Sequence, residues 1–414
     1  MSNLLFLVHR LPFPPDKGDK IRSFNLLRHL STRYQIFLGG FVDKNEDWQY
    51  LAELEKYCSE VFFRPVSRLH SGLSVAQSLI RGRSLSVGYY SDKALRLWVE
   101  ELLRTIQFDV VVSFSSTMAQ FLPQVVPRKS IVHADFVDLD SDKWRQYASE
   151  AKWPMSLVYA YEAKALAEWE LDVVESADAI TLVSAEERRL LLDRCGRRAR
   201  NIEVVRNGVD TEFFDPEIEF ENPYTLGKPV TIFTGAMDYF ANVQGVKWFA
   251  EYVWPRVKNK VPAAEFWIVG SNPAKEVKAL RAVDGVVVTG YVSDIRPYLK
   301  HASIAVAPLQ LARGVQNKVL EALAMDLPVI ATPQALQGLD GTLPGSITSI
   351  ADATKFAEMT SRALGVETSL HDVQGRAYVQ ENYDWDQNLS KLDDILAAAL
   401  EAKTDLDCRE SPRK

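Results

Sequence analysis

The chain has 414 residues, 47% of them hydrophobic, and a formal net charge of −7. This length exceeds what one hydrophobic core usually serves, so two domains are expected. The acidic balance argues against a general nucleic-acid-binding protein, whose surface carries a dominant positive charge. Cys58, Cys195 and Cys408 lie far apart without metal-ligand spacing, which indicates reduced thiols in a cytoplasmic protein.

The first half of the chain alternates short apolar runs with amphipathic stretches. The opening run at 4–8 lacks the cationic lead and cleavage site of a signal peptide and is typical of a buried strand. Helical spacing predicts helices at 47–57 and 93–106, and Ser184 with Glu187 predicts a capping box. No apolar run approaches the ~20 residues that span a bilayer. The predicted strands of this half are 4–8, 35–41, 61–66, 109–114, 130–136, 179–183 and 202–205.

A second series of strands begins after a loop at 215–229 that is rich in Pro, Glu and Asn. The alternation of strands and helices predicts parallel sheets covered on both faces. We therefore predict an α/β fold with two Rossmann-like, doubly wound domains at 1–212 and 213–384, facing each other across a cleft. A helix at 385–402 is expected to cross back to the first domain, and 403–414 to form a flexible tail. The predicted strands of this half are 230–234, 265–269, 285–289, 303–308 and 328–332.

The most informative motif of the second half is a glycine-containing loop that leads into a helix. Gly314 and Val315 place free backbone N–H groups at the helix N-terminus, which attracts anions, and Lys318 adds a positive charge. Glu321 lies one turn further on the same face, where its carboxylate accepts hydrogen bonds from neighbouring hydroxyls, as a ribose presents. The motif favours a diphosphate and ribose site; an i,i+3 ion pair on a solvated helix is the alternative.

The segment 321–332 resembles glycosyltransferase family 4, whose members are retaining enzymes of the GT-B fold. In that family the helix carrying this Glu ends in a Pro-Val-Ile strand, as residues 328–330 do here. The family motif has an earlier Glu, associated with the donor sugar, at the position of Arg313. The resemblance therefore leaves the donor sugar open and makes Arg313 a further candidate for phosphate contact.

Two more segments resemble the donor domain of this family. Gly235 ends a predicted strand where the backbone must approach a phosphate closely. Many members place an Arg and a Lys near this glycine, whereas this chain has Ala236 and Asn242, which assigns the cationic role to Lys318. The loop that contains Val292 resembles the loop whose backbone contacts the base.

The segment 207–210, Asn-Gly-Val-Asp, is similar to the hinge of the family. Gly208 is expected to relieve a tight turn and Asp210 to tie down the crossing chain. Because Asn-Gly is also a common turn, we favour an architectural role. Asp294 follows Val292 in the loop that resembles the base-contacting loop. It either belongs to that site or is an ordinary helix cap.

In the first domain, a loop rich in proline and cations joins the first strand to a helix. Gly18 precedes the predicted helix start, where exposed N–H groups attract anions. Lys17, Lys20 and Arg22 supply positive charge for phosphates of the donor or acceptor. The loop is therefore a second candidate phosphate site.

An acidic run follows the fifth predicted strand. His133 corresponds to a His that many family members carry near the reacting sugar, with a structural strand-end His as the alternative. The chain looks closest to sugar transferases of exosortase (PEP-CTERM) exopolysaccharide clusters, in which the run that begins at Asp135 is expected to carry the site. Asp135 and Asp138 are our candidates for contact with the acceptor hydroxyl or donor sugar, and 140–142 is expected to cap the next helix.

The segment 64–90 contains four arginines and no Asp or Glu, interleaved with apolar residues. In an acidic protein this pattern fits contact with an anionic bilayer, at ~1 kcal/mol per basic residue. The alternative, to which we give equal weight, is a basic connecting segment that is exposed to solvent and contacts no membrane. The apolar stretch 153–159 is either a wedge into the same membrane or a buried helix, and we favour the buried helix.

The resemblance implies a bacterial hexosyltransferase that moves a sugar from a UDP- or GDP-linked donor to a hydroxyl, with retention. The expected acceptor is a lipid-linked saccharide on polyprenyl diphosphate, in exopolysaccharide or cell-surface glycan synthesis. No cofactor, metal or nucleic acid is expected. We expect a cytoplasmic location, peripheral on the inner face of the membrane. The alternatives are a nucleotide-sugar epimerase of this fold, which needs acids and a histidine around the sugar, and a non-catalytic partner subunit, which Arg313 and Ala236 favour.

Overall fold

The chain forms two compact units in a computed structural model, which describes residues 2–66, 68–122, 130–196, 201–312, 314–339, 341–365 and 374–410. The first unit comprises Met1–Arg206 with Leu389–Lys414, and the second comprises Asn207–Asn388. The final helix therefore starts in the second unit and continues in the first. The predicted division lay between residues 212 and 213.

The first unit contains a parallel seven-stranded sheet in the order β3-β2-β1-β4-β5-β6-β7. The order reverses between β1 and β4, as in doubly wound folds. Each strand overlaps a predicted one, because runs of buried apolar residues on both faces of a sheet are a strong signal. The strands are β1 Ser2–Val8, β2 Tyr34–Val42, β3 Glu60–Pro65, β4 Val110–Phe114, β5 Ile131–Val137, β6 Ala179–Leu182 and β7 Ile202–Val204.

The helices of the first unit include one that is much shorter than predicted. The 47–57 region forms a 3₁₀ turn over Asn45–Tyr50 and a short helix. The Ser184 hydroxyl accepts from the Glu187 N–H, as the predicted cap requires, and the Glu187 carboxylate accepts from Leu139 N. The helices are α1 Gly18–Ser31, α2 Leu51–Leu54, α3 Arg68–Ile80, α4 Leu85–Tyr89, α5 Lys93–Thr105, α6 Asp140–Glu150, α7 Met155–Ser176 and α8 Ala185–Cys195.

The second unit contains a parallel six-stranded sheet in the order β10-β9-β8-β11-β12-β13. Five strands were predicted; β13 was missed because it is three residues long, lies at the sheet edge and is not fully buried. The prediction of two Rossmann-like domains is confirmed. The strands are β8 Val230–Thr234, β9 Glu265–Val269, β10 Val286–Gly290, β11 Ile304–Ala307, β12 Val329–Ala331 and β13 Ile347–Ser349.

Helices cover both faces of the second sheet, and a large apolar core fills the space between them. The helices are α9 Phe240–Trp248, α10 Trp254–Lys260, α11 Lys275–Ala279, α12 Arg296–His301, α13 Asn317–Ala324, α14 Pro333–Leu336, α15 Ala353–Ala363, α16 Gln374–Asn382 and α17 Trp385–Glu410. α17 extends past its predicted end at 402, and the Lys403 ammonium ion-pairs with Asp178 at 2.6 Å. Within the described ranges, no helix has the length and apolarity to cross a bilayer.

The predicted hinge segment has an architectural role at the start of the second unit. A Cβ on Gly208 would lie 2.6 Å from the Trp385 ring, so the glycine permits close packing of that ring. The Asp210 carboxylate accepts a hydrogen bond from Phe213 N at 2.8 Å and fixes the next turn. Gly208 thus serves close packing, where the sequence suggested relief of a tight turn.

Candidate functional site

The carboxyl ends of β8 and β9 touch through their backbones in the second unit. Gly235 and Gly270, which follow these strands, have φ values of +149° and +155°. A Cβ on Gly270 would lie 1.7 Å from the Gly235 carbonyl oxygen, a distance no side chain tolerates. Both glycines are therefore required, and Gly235 adds no side chain of its own at the end of β8.

The loop that precedes α13 is also built on glycine contacts. Gly314 has φ +61°, in the left-handed region. A Cβ on Gly338 would lie 2.2 Å from the Gly314 carbonyl oxygen, so Gly338 lets the two backbones meet. Val315 is half-buried between this turn and the helix start. Arg313, the other predicted phosphate contact, lies outside the described residues.

Lys318, in the first turn of α13, points toward the end of β8. Its ammonium donates to the Asn242 side-chain oxygen at 2.6 Å and lies 4.8 Å from the Phe233 ring centroid. No carboxylate in the described ranges is within ion-pair distance. Burial lowers the pKa of Lys318 to about 8, while the charge of Glu321 opposes that shift. Among the residues that the structure describes, only neutral groups therefore contact this partly buried cation.

Asn242 holds the lysine and the turn after β8 together. Its side chain is buried, and its Nδ2 donates to the Ala236 carbonyl oxygen at 2.8 Å. A Cβ on Gly235 would lie 2.8 Å from the same Nδ2. Asn242 therefore orients the Lys318 ammonium toward Gly235, a tethering role that the sequence did not predict.

Two further oxygen acceptors lie on the first turns of α13. Burial raises the pKa of Glu321 to about 7, and the positive charge of Lys318 opposes that shift. Within the described chain, the Glu321 carboxylate makes no hydrogen bond and the buried Asn317 Oδ1 has no partner. Both groups are available to the hydroxyl donors of a ligand.

The predicted base loop follows β10 in the same unit. Val292 is half-buried, and Tyr291 beside it is exposed. The Asp294 carboxylate accepts from Arg296 N at 2.9 Å, the contact expected of a cap for α12. The Arg296 guanidinium lies 3.8 Å from the Phe213 ring centroid. Asp294 is therefore engaged by its own helix.

In the first unit, two predicted phosphate-binding cations are paired inside the protein. The Lys20 ammonium is buried and lies 2.7 Å from the Asp47 carboxylate. Arg22 is fully buried; its Nε lies 3.0 Å from Asp135 Oδ2, and its Nη1 donates to the Val205 carbonyl oxygen at 2.8 Å. The expectation that Lys20 and Arg22 face a phosphate needs correction, because carboxylates already neutralise both.

Asp135 supports an unusual turn at the end of β5. Its Oδ1 accepts from Val137 N at 3.0 Å, and Val137 has φ +66°, a strained conformation for a β-branched residue. Asp138 follows this turn and is partly exposed. The buried Asp135 is thus placed to position the turn, while Asp138 is the member of the predicted pair that solvent reaches.

His133 occupies the middle of β5, not its end. Its side chain is fully buried, and its Nε2 lies 2.8 Å from the Thr181 hydroxyl on β6. Burial lowers the pKa of His133 to about 4, against the charge of Asp135, so the ring is neutral at physiological pH. This placement fits the structural alternative and corrects the strand-end position assumed for it.

A polar cluster at the end of β1 was not predicted. His9 Nε2 and Arg10 Nη1 lie 3.1 and 2.8 Å from Asp19 Oδ2, and the other Asp19 oxygen accepts from Lys20 N. Burial alone would raise the pKa of Asp19, but His9 and Arg10 hold it well below its usual range. Asp19 thus occupies the start of α1, beside Gly18 and Lys17. Two polar residues directly after a buried strand were the signal in the sequence.

Solved structures share the architecture of almost the whole chain. The sucrose-phosphate synthase of Thermosynechococcus elongatus is 15% identical, with a TM-score of 0.68 over 97% of this chain and 100% of that one. Anabaena HepE in complex with UDP is 12% identical, with a TM-score of 0.63 over 96% and 100%. WaaG, a glycosyltransferase involved in lipopolysaccharide biosynthesis, is 13% identical, with a TM-score of 0.60 over 97% and 98%. The fold is therefore that of GT-B proteins.

Family sequence models match both units. The model described as Glycosyl transferases group 1 matches residues 228–365, and the model described as Glycosyltransferase Family 4 matches residues 68–213. A comparison with curated proteins found no match. Together the fold and the two models define the chain as a glycosyltransferase. More narrowly, the two models support a glycosyltransferase of the family 4 type.

Proposed function

We propose that the protein transfers a hexose from a nucleoside-diphosphate sugar to a hydroxyl group, with retention of anomeric configuration. The observation that carries the donor assignment is Lys318, a partly buried cation whose polar and ring contacts within the described residues are the Asn242 amide and the Phe233 ring. A desolvated cation that has no carboxylate within ion-pair distance among the described residues attracts an anion strongly. A diphosphate beside Gly235 would supply that anion, because Gly235 adds no side chain there and its Cβ position lies 3.4 Å from Lys318 Cε.

The other groups of α13 fit the remainder of a nucleotide. Glu321 and Asn317 offer acceptor oxygens within one turn of Lys318, which suits the adjacent hydroxyls of a ribose. The base is proposed to contact the backbone near Val292. The complexes of HepE with UDP and UDP-glucose favour UDP over GDP as the carrier.

The chemistry assigned to Lys318 is stabilisation of the leaving group. As the bond between the anomeric carbon and the donor phosphate oxygen breaks, negative charge grows on the diphosphate, and the ammonium offsets it. The acceptor oxygen forms the new bond from the same face, and its proton passes to the departing diphosphate. Because Lys318 supplies the positive charge, the proposal requires no metal ion.

We assign acceptor binding to the first unit, with Asp138 contacting the acceptor hydroxyl or the donor sugar. A groove of about 470 Å³ lies in this unit beyond the ends of β2 and β3. Arg64, Asp92 and Lys93 line it; Arg64 Nε lies 3.6 Å from the Asp92 carboxylate, so Lys93 is the cation that suits a phosphate-bearing acceptor. A saccharide on polyprenyl diphosphate, used in exopolysaccharide or cell-surface glycan synthesis, has that chemistry. The basic segment 64–90 would hold the enzyme at the inner face of the cytoplasmic membrane.

Calorimetric titration of the full chain with UDP, GDP and ADP tests the donor assignment. We expect UDP to bind most tightly, without added metal. Failure of all three nucleotides to bind would contradict the proposal.

Turnover experiments separate the proposed activity from its alternatives. Incubation with UDP-hexoses and membrane lipid extracts, followed by NMR of the product, should give a glycoside with the donor's anomeric configuration. Nucleotide binding without sugar transfer would instead favour the hypothesis that the protein is a non-catalytic partner subunit. Interconversion of free UDP-sugars would favour an epimerase.

A further inference from the structure

The start of α7 presents large apolar side chains to solvent. Trp153, just before the helix, is 79% exposed and Leu157 is 63% exposed, and Met155 and Val158 are also exposed. Tyr159 is half-buried, with its ring centroid 5.3 Å from that of Trp144. The expectation that 153–159 is a buried helix is therefore wrong. Exposed apolar groups clustered in this way mark an interaction surface.

Hydrogen bonds fix this helix to the basic segment of the first unit. The Tyr161 hydroxyl donates to the Arg83 carbonyl oxygen at 3.1 Å. The buried Glu162 carboxylate accepts from Ser84 Oγ at 2.7 Å and from Leu85 N at 2.6 Å, at the start of α4. The two segments therefore hold a defined position relative to each other.

Helical spacing places the exposed side chains next to these contacts. Leu157 and Val158 precede Tyr161 and Glu162 by four residues, so they lie on the same face of α7, about one turn away. The turn at 81–83 therefore lies beside the apolar start of the helix.

The end of α3 continues this surface. Ile80 is 85% exposed and Leu79 is 54% exposed, and both directly precede the turn at 81–83. We define residues 79–83 and 152–158 together as the docking surface.

The charge of the docking surface is positive. Arg81, Arg83 and Lys152 are exposed, and no Asp or Glu occurs from residue 64 to 91. Glu162 is buried and engaged by the donors at the start of α4, whereas Glu150, two residues before Lys152, is exposed, so three cations face one exposed acid. A second copy of the chain would bring these like charges together, which disfavours self-association through this surface.

We propose that the docking surface binds an anionic lipid bilayer, with Trp153, Leu157 and Ile80 inserted at the interface and the three cations at lipid phosphates. Tryptophan and aliphatic side chains favour that position, and each cation contributes ~1 kcal/mol. The apolar side chains come from both α7 and the end of α3, and those of α7 lie outside the basic segment 64–90. The proposal deepens the proposed function through its lipid-linked acceptor, but it needs no property of the Lys318 site.

Vesicle flotation of the full chain tests the docking surface. We expect flotation with phosphatidylcholine vesicles that contain phosphatidylglycerol and little with phosphatidylcholine alone. The double variant Trp153→Ser/Leu157→Ser and the double variant Arg81→Glu/Arg83→Glu should each lose binding by about tenfold or more. The matched controls are Leu226→Ser, at an 86% exposed apolar residue of the second unit, and Arg189→Glu on α8. Both controls should float like the unmodified protein.

Several results would overturn the assignment. Equal flotation of all variants would exclude the docking surface as the contact. A dimer in light scattering that the Trp153→Ser/Leu157→Ser variant dissociates would make this a protein interface instead. UDP affinity and melting temperature should stay unchanged in every variant. If neither the unmodified protein nor any variant binds UDP while flotation behaves as expected, the donor assignment fails and the docking surface stands.

Discussion

Two lysines occupy similar places in the two units and have opposite surroundings. Lys20 lies in the first turn of the helix after β1, and Lys318 in the first turn of the helix after β11. Asp47 neutralises Lys20 at 2.7 Å, whereas Lys318 contacts a neutral amide and a ring. A cation paired with a carboxylate stabilises the fold; one held by neutral groups retains its charge for a ligand. Sequence position alone does not distinguish these roles.

The largest expected effect is on stability, and it comes from breaking the buried ion pair between Arg22 and Asp135 in the first unit. Asp135→Asn leaves the fully buried Arg22 without its counter-charge, which should lower the free energy of unfolding by about 3–5 kcal/mol. Denaturant titration measures this loss. Asp193→Asn, at an exposed ion pair, is the control and should cost less than about 1 kcal/mol. A similarly small loss for Asp135→Asn would refute the structural role of the pair.

Removal of the unpaired cation should affect binding and not stability. Lys318→Met should weaken UDP binding roughly 10- to 100-fold, because a hydrogen bond to a charged group contributes about 1.5–3 kcal/mol. Its melting temperature should not fall, since no carboxylate loses a partner. Lys20→Met is the matched control, with lower stability and unchanged UDP affinity. Calorimetry and thermal unfolding of both variants check the contrast, and unchanged affinity in Lys318→Met would contradict it.

Asp138 is a partly exposed acid of the run that begins at Asp135, and its substitution should affect turnover and not stability. Asp138→Asn should reduce turnover about tenfold, the effect of one hydrogen bond to a charged group, and leave UDP affinity unchanged. Steady-state kinetics with a panel of donors measures both quantities. Full activity in the Asp138→Asn variant would remove Asp138 from the site.

The smallest expected effect is on the pH dependence of donor binding. The pKa of Lys318 is about 8 in the free protein, and a bound diphosphate raises it. Affinity is therefore complete below pH 8 and falls as the pH rises through about 8, by less than tenfold per pH unit. Lys318→Met should abolish this dependence. A pH-independent Kd of the unmodified protein between pH 7 and 9 would count against a diphosphate contact.

Local patterns identified most of the fold and the donor loop. Twelve of the strands were predicted because each is a short apolar run between amphipathic helices. Gly235 and Lys318 were singled out because both follow such strands, and carboxyl ends of parallel strands gather at one edge of a sheet. The polar edge strand β13 gave no comparable signal.

The sequence by itself determined the two sheets and the places where ligand-binding loops leave them, since these depend on residues close together in the chain. Only the tertiary structure decided which charges remain available. Arg22 meets Asp135, 113 residues away, whereas Lys318 meets Asn242. Glu162 likewise fixes α7 to a segment 77 residues earlier and leaves Trp153 at the surface. The physical reason is that burial makes a charge costly unless a partner neutralises it, and folding decides which partner arrives.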